Sequence, residues 1–578
     1  MLISVPRRLC VFFLIVFAAG CSSQPPFNIA VSPQAVAIGT GQTVQFTAMT
    51  SDSSGVTWSA TAGTIDASGN YTAPSGSQSM GVTVTAASLK NHSKSASATI
   101  NVVAPGQLTP TASKQVASYT IAPAAPGNVS VQFGTDTNYG LTTWTQPVPT
   151  GGGAVSLFVA GMKGNTLYHI RGVVQFADGT QYMDLDQTFI TQSLLASQLP
   201  VVTATTSAGM TPQSGVELLD LVSGNVAHAP VAVTDLEGDI LWSYSPGTGF
   251  TELQANPIKL LPNGHFLINF SSTSVDGLNS VLQEVDLTGA IIWQMTAADL
   301  NNALATATCG GDGCNVKVLG THHDFVMLPN GHLIVIASTQ NVISGTTVTG
   351  DVLIDLDQKH NPVWLWNEFD HLDITRQGWN WPDWTHTNAV LYSADDGNLI
   401  ISMRSQNWLV KVDYANGAGA GNIIWHLGYQ GDFTLVGGTD PTDWFTGQHG
   451  PSFASTNTTG KFSMAVFDNG NVRVFPPGQP AVSLYSTVQI LSLDETAKTA
   501  TLSFYLAAPT YSFFGGNNAV LKNGNVEFCE SAEPTPTAGD VYEVTQGGSA
   551  QTVWHLNVTE QYIYRGQRMP SMYPGVQW

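Results

Sequence analysis

The chain has 13 histidines, and three of them, His323, His386 and His449, recur at intervals of 63 and 63 residues. Asn388 stands two positions after His386, so both side chains leave the same face of an extended strand. Arg404 closes the apolar run Leu399-Ile-Ile-Ser-Met-Arg404. A guanidinium in such a run is costly unless it meets an anion or a structural partner, for which Asp324 and Asp383 are the nearest choices. Imidazole, guanidinium and amide groups gathered in one place suit two chemistries. Three imidazoles can ligate a metal ion. The same groups can stabilise charge spreading over the oxygens of a transferring group, with one histidine as nucleophile and the others as donors or acid–base partners. His322 adjoins His323, and strand alternation lets only one of the two face a shared site. The His-Asp order favours His323.

The elements that must position these groups are visible as a repeat. Gly264, Gly331, Gly397, Gly460 and Gly524 are spaced by 67, 66, 63 and 64 residues, each followed by an apolar strand. Several then show a second strand and a strand bearing Trp, as in Ile291-Ile-Trp293, Val363-Trp364, Ile423-Ile-Trp425 and Val553-Trp554. An earlier, shorter copy runs from Val216 to Trp242. Asn-Gly and Asp-Gly between apolar runs are hairpin turns, because both central positions need positive φ. Each copy therefore supplies three strands, with a fourth from the segment before the glycine. The repeat predicts an all-β fold: a six-bladed β-propeller over 200–578. The three histidines lie 8 to 11 residues before their glycines, in the segments that become innermost strands and face a propeller's axis. Asn517 and Asn518 take a similar place in the last copy, where a site role and a turn-forming role stand about equal.

Before the repeat, residues 26–103 and 104–193 alternate Val, Ile and Thr with polar residues at the spacing of two small β-sandwiches. The run from Trp58 to Pro74 resembles the bacterial Ig-like family, and Gly164-Asn-Thr-Leu-Tyr168-His-Ile-Arg171 resembles fibronectin type III domains. Neither module offers a cluster of titratable groups, and both read as spacers or stalks. Residues 1–21 place Arg7 and Arg8 before a short apolar stretch ending Ala18-Ala19-Gly20-Cys21. This resembles a bacterial lipoprotein signal, with Cys21 as the lipidated first residue of an extracytoplasmic, membrane-anchored protein facing a periplasm or the cell surface. The Gly-rich stretch Cys309-Gly-Gly-Asp-Gly-Cys314 reads as a local disulfide, since no further zinc ligands stand near it.

Composition bounds the partners. Of 578 residues only 10% are charged, while 43% are hydrophobic and 14 are Trp, enough to build cores. The net charge is −21, from 40 acidic and 19 basic side chains, and loss of Arg7 and Arg8 with the signal makes it −23. So little Lys and Arg excludes binding along a nucleic-acid backbone.

Residues 200–578 also resemble the bacterial arylsulfate sulfotransferases. The resemblance rests on Thr321-His-His-Asp-Phe-Val-Met-Leu-Pro-Asn-Gly331, Asp383-Trp-Thr-His386-Thr-Asn388, Met403-Arg404-Ser-Gln-Asn, Gly447-Gln-His449-Gly, and a tail from Tyr564-Arg565 to Tyr573-Pro574. It implies a six-bladed propeller that moves a sulfuryl group from an aryl sulfate donor to a phenolic acceptor, with no nucleotide donor, cofactor or metal. It implies further that His449 is the nucleophile and carries an N-sulfo intermediate in a ping-pong route. His323, His386, Asn388 and Arg404 would hold the sulfate, with His322 as a further substrate-binding candidate. Trp379, Trp381 and Trp384 are candidates for holding the aryl ring, or for packing. Two departures stand out: the family's best-known members lack the sandwich modules, and they place a disulfide near the nucleophile. Two other functions suit parts of the sequence, a non-catalytic surface-anchored propeller that binds glycans or proteins, and a metal-dependent propeller hydrolase. The oligomeric state is not legible.

Overall fold

The computed structural model describes residues 27–51, 53–224, 227–247, 250, 253–271, 280–457, 459–473, 484–534, 537–547 and 549–578. Cys21 and the whole 1–21 segment lie outside these residues. The fold is all-β, 51% strand and 4% helix, so the site must be assembled from strands and the loops between them.

Residues 200–578 build six sheets, each with four antiparallel strands at its centre. The strand that opens each hairpin before a turn glycine, or its counterpart, lies at one edge of its sheet. These edge strands are Gln254–Leu260 (β1), Val318–Met327 (β2), Thr387–Ser393 (β3), His449–Phe453 (β4), Asn517–Val520 (β5) and the C-terminal Gln561–Met569 (β6). β1 contacts β2, β2 contacts β3, β3 contacts β4 and β4 contacts β5. β6 pairs with Val216–Gly224 in the first sheet and also contacts β1 and the last sheet. At the opposite edge Val201–Thr206 pairs with Thr552–Thr559 of the last sheet. Both ends of the repeat are thus stitched into sheets made by the other end. All five turn glycines have φ between 72° and 86°, the left-handed conformation the repeat requires.

The Trp of the repeat link one sheet to the next. Trp242 Nε1 donates to the Leu287 carbonyl, Trp366 Nε1 to Gly421 and Trp554 Nε1 to Leu236. Trp425 donates to Glu495, and Trp293 stacks on His360 at 3.8 Å. Each therefore reaches the following sheet, and Trp554 of the last reaches the first. Burying about 200 Å2 of indole is worth roughly 5 kcal/mol before ordering costs, and the N–H needs a partner only where it is cut off from water. In the third sheet it is Trp366, two residues past the Trp of the sequence repeat, that makes this bond. Trp364 packs edge-on against Tyr414 instead.

The described residues of 27–103 form sheets of two, four and three strands around Phe46, Tyr71, Val84 and Ile100. Residues 107–190 form sheets of three and six strands around Tyr119, Phe133 and Ile170. The second unit is bound firmly to the repeat region by the C-terminus. Tyr573 Oη accepts from Ala160 N at 2.7 Å and donates to the Phe158 carbonyl, and Trp578 Nε1 donates to Thr142 O. Trp578 packs against Gly161, where any Cβ would come within 2.3 Å of its ring. The first unit meets the second through Asn101, which donates to Asp178 and Thr180.

Candidate active site

His323, His386 and His449 come from β2, the residue before β3, and the first residue of β4. At all three places the edge strand slips register against its partner: between Thr321 and Phe325, Thr387 and Ala389, and His449 and Ser452. A bulge re-aims side chains and breaks the two-residue alternation. His323 and His386 accordingly have φ of 59° and 49°, a conformation that costs a non-glycine residue about 1–3 kcal/mol and that surrounding structure must enforce. His449 is flanked by Gly447 and Gly450, both at positive φ; a Cβ on Gly450 would lie 2.5 Å from the Gly516 carbonyl. Gln448, fully buried between them, donates to Ser402 Oγ and the Met403 and Trp408 carbonyls, which ties the segment to the fourth sheet.

The three imidazoles share one arrangement: Nδ1 is held, and among the described residues Nε2 makes no hydrogen bond. His449 Nδ1 lies 2.7 Å from Asn469 Oδ1 and 3.1 Å from the Gly447 carbonyl. The Asn469 amide is oriented by its own Nδ2, which donates to the Ser512 and Gly515 carbonyls. Both neighbours of Nδ1 are therefore acceptors, so Nδ1 carries the proton and Nε2 the lone pair. His386 Nδ1 is 2.5 Å from Asp383 Oδ2, and His323 Nδ1 is 2.6 Å from His322 Nδ1. The rings are close: His323 to His386 at 4.7 Å, with Tyr564 5.9 Å from His323 and 6.3 Å from His449. Burial, followed by the Arg404 charge, holds His449 well below its ordinary value of 6.5. His323 is lowered likewise, by burial and then by His386 and His322. Both are neutral near pH 7.

Arg404 lies one residue past its strand, opening a short 3-10 turn. Its backbone N–H donates to the His386 carbonyl and its guanidinium stands 4.8 Å over the Trp379 ring. Among the described residues its one side-chain hydrogen bond is a long one, 3.4 Å to Phe513 O, and Nε is buried with no partner there. Neither proposed structural partner takes it. Asp324 binds Lys259 at 2.6 Å and Arg565 at 3.2 Å, and Asp383 binds His386. Among the described residues no carboxylate is paired with Arg404. A buried cation left in this state is poised for an anionic ligand.

The remaining expected residues divide. His323, not His322, faces His386; His322 is 8% exposed and lies behind it on Asp351. Asn388 is fully buried, its Nδ2 committed to the Gln448 carbonyl and its Oδ1 unpartnered. The bulge at Thr387 removes the simple alternation that put it on the His386 face. Asn517 and Asn518 are neither turn residues nor free donors: Asn517 exchanges two hydrogen bonds with Gly566 of β6, and Asn518 donates to Gln489 O. Trp384 is buried against Phe369. Trp379 alone of the three tryptophans underlies Arg404, and the Phe513 carbonyl reaches the guanidinium from the loop before β5. Cys309 and Cys314 are joined in a disulfide beside the outer edge of the third sheet. Asn469, Phe513 and the role of Arg565, whose Nη2 donates to the His323 and Asn388 carbonyls, were missed by the repeat. Asn469 sits in Asp468-Asn469-Gly470, which reads as an ordinary turn. Among the described residues no group of three His, Cys, Asp or Glu side chains is set to hold a metal ion.

No curated protein matches this chain. Among solved structures, dimeric latent PorU from Porphyromonas gingivalis is 16% identical over 30% of this chain and 21% of its own, with a TM-score of 0.13. The chain thus spans about a fifth of that protein's length. An ICAM-5 D1-D4 ectodomain fragment is 10% identical over 58% of this chain and 100% of its own, with a TM-score of 0.17. The Bacteroides ovatus mixed-linkage glucan utilization locus protein SGBP-B is 10% identical over 59% of this chain and 98% of its own, with a TM-score of 0.12. At these scores none bears on fold or function. The arylsulfotransferase (ASST) family model, in contrast, matches residues 204–565, which include every histidine, arginine and asparagine of the site. With well over half its length matched, and with the site inside the match, the chain belongs to the arylsulfotransferase (ASST) family.

Proposed function

We propose that residues 200–578 form a six-bladed propeller whose axial site transfers a sulfuryl group from an aryl sulfate to a phenol by a ping-pong route through His449. Family membership supports arylsulfotransferase activity in general. The observation that carries the finer reading is the pairing of a neutral His449, its proton fixed on Nδ1 by Asn469, with an arginine that has no carboxylate of its own. The propeller reading is supported by six sheets of four or five strands in sequential contact and by the two terminal strands that join the first sheet to the last.

In this mechanism Arg404, His323 and His386 surround the sulfuryl oxygens, and the aryl ring rests against Trp379 and Phe513. His449 Nε2 attacks sulfur, the S–O bond breaks with its electron pair on the phenolate, and His449 carries the sulfuryl group while Nδ1–H stays on Asn469. An acceptor phenol then attacks the sulfur and regenerates the imidazole. Positioning and charge stabilisation supply most of the acceleration, as in phosphoryl transfer. Asn388 supports the β3 wall through Gln448, the residue before the nucleophile. The two N-terminal units serve as Ig-like and fibronectin type III-like spacers, and lipidation at Cys21 tethers the protein outside the cytoplasm.

The test is turnover of 4-nitrophenyl sulfate with phenol, beside His449→Ala, with and without chelator. Acceptor-dependent release of nitrophenolate that survives chelation and disappears in the variant is the expected result. Turnover undiminished in His449→Ala would remove the covalent route, and loss on chelation alone would replace it with a metal-dependent hydrolase.

A further inference from the structure

Behind His323 lies a chain of buried groups that the transfer mechanism does not yet use. His323 Nδ1 meets His322 Nδ1 at 2.6 Å, and His322 Nε2 meets Asp351 Oδ1 at 2.9 Å. Asp351 Oδ2 accepts from Thr387 N at 2.6 Å and Thr385 Oγ1 at 3.2 Å, which orients the carboxylate toward His322. The backbone N–H of Asp351 donates to Glu368 Oε2, and Thr387 Oγ1 bonds Glu368 Oε1. His322, Asp351, Thr385, Thr387 and Glu368 are all 8% exposed or less. Because Asp351 accepts at Oδ1, His322 keeps a proton on Nε2, and its Nδ1 is either acceptor or donor toward His323. When it accepts, His323 is protonated at Nδ1 and offers a lone pair at Nε2. When it donates, His322 is an imidazolium balanced by Asp351, and His323 carries its proton on Nε2. His323 is neutral in both arrangements. The two arrangements differ by one proton: the rings hold three protons in the second and two in the first, so passing from second to first releases a proton at His323 Nε2.

We propose that Asp351–His322–His323 is a proton relay that makes His323 Nε2 the acid of the first half-reaction and the base of the second. This rests on the sulfuryl-transfer reading above. In the first half-reaction the S–O bond breaks and the phenolate takes the proton from His323 Nε2. The proton on His322 Nδ1 moves to His323 Nδ1, and His322 becomes neutral. In the second, the acceptor phenol gives its proton to His323 Nε2. The Nδ1 proton returns to His322 as the phenolate oxygen bonds to sulfur and the bond to His449 breaks. Protons and electron pairs balance over the cycle, and no outside acid or base is needed. Burial and the charge of Asp351 hold the Glu368 carboxyl well above its ordinary range, so of these two neighbouring carboxyls it is Asp351 that sets a negative charge against His322. His322 and Asp351 act through His323 and are positioning residues; a second histidine beside the first is what lets one ring nitrogen change roles without leaving the site.

The readout is dependence on the leaving group, which a merely structural defect does not alter. The first half-reaction is timed with 4-nitrophenyl sulfate, whose phenolate leaves without protonation, and with phenyl sulfate, whose phenolate needs a proton. His322→Phe and Asp351→Asn are compared with the unaltered protein, with melting temperature recorded for each. Asp351→Asn preserves shape if the larger change fails to fold. General acid catalysis is worth about 10²–10⁴-fold, so both variants are expected to lose roughly 10²-fold or more on phenyl sulfate and less than about 5-fold on 4-nitrophenyl sulfate. Equal losses on both donors, or none on either, would overturn the relay and leave the sulfuryl-transfer reading intact. No turnover of either donor by the unaltered protein would overturn both.

Discussion

Replacing Asn469 with leucine removes the acceptor that fixes the proton of the proposed nucleophile, and the structure sets the size of the effect. The His449 Nδ1–H then faces only the Gly447 carbonyl at 3.1 Å in place of Asn469 Oδ1 at 2.7 Å. Leaving a buried N–H poorly satisfied costs about 1–3 kcal/mol. That is the bias lost by the tautomer with a free Nε2, and at about 1.4 kcal/mol per tenfold it predicts a roughly 5- to 150-fold slower first half-reaction. The Ser512 and Gly515 carbonyls also lose their donor, so stability falls, and the assay must run well below the melting transition. Stopped-flow release of nitrophenolate from 4-nitrophenyl sulfate separates the rate from donor KM. The expected pattern is a fall in rate with little change in KM. Asn469→Asp keeps an acceptor and adds a charge, so it retains more activity than leucine and moves the acid limb of the rate profile upward. A leucine variant within about twofold of the unaltered protein, or one impaired only in KM, would refute tautomer control by Asn469.

Arg404→Gln removes the cation that the proposed mechanism sets against the transferring group, so kcat/KM should fall about 10²–10³-fold, while the melting temperature holds or rises because no ion pair is lost; a large drop in melting temperature would show a structural role instead. The folded values of His323 and His449 lie well below 6.5, so below that pH the unfolded chain binds more protons than the folded one. Stability should therefore be full above about pH 6.5 and fall as the solution is acidified through that window, which denaturant titrations at pH 7.5 and 5 would measure; equal stability at the two values would contradict it. Reducing the Cys309–Cys314 bridge opens a loop with a sequence separation of 5, worth about 2 kcal/mol on loop entropy. Stability should drop by that amount with donor KM unchanged, and a parallel loss of activity in folded protein would place the bridge in the site.

Much of the molecule was legible because it depends on local rules. Positive φ at Gly264, Gly331, Gly397, Gly460 and Gly524 forces hairpins, and apolar runs between them force strands. The even spacing of those hairpins located His323, His386 and His449 on equivalent edge strands, and Arg404 stood out because cations are few. The sequence by itself therefore determined the all-β repeat, the family and the three histidines that neighbouring edge strands bring together. The hydrogen bonds that give each residue its part depend on register and on chain segments far apart. The bulge at Thr387 turned Asn388 into the wall, against the alternation that a regular strand would have imposed. Asn469 reaches His449 only because the fifth sheet folds it there, and Asp351 meets His322 only across the third sheet. The C-terminal Arg565 touches His323 and Asn388 because β6 closes on the first sheet. Tertiary structure alone decided which nitrogen of each imidazole is held and which is free, because a proton's place is set by the acceptors around it, and sequence spacing does not say where those acceptors will be.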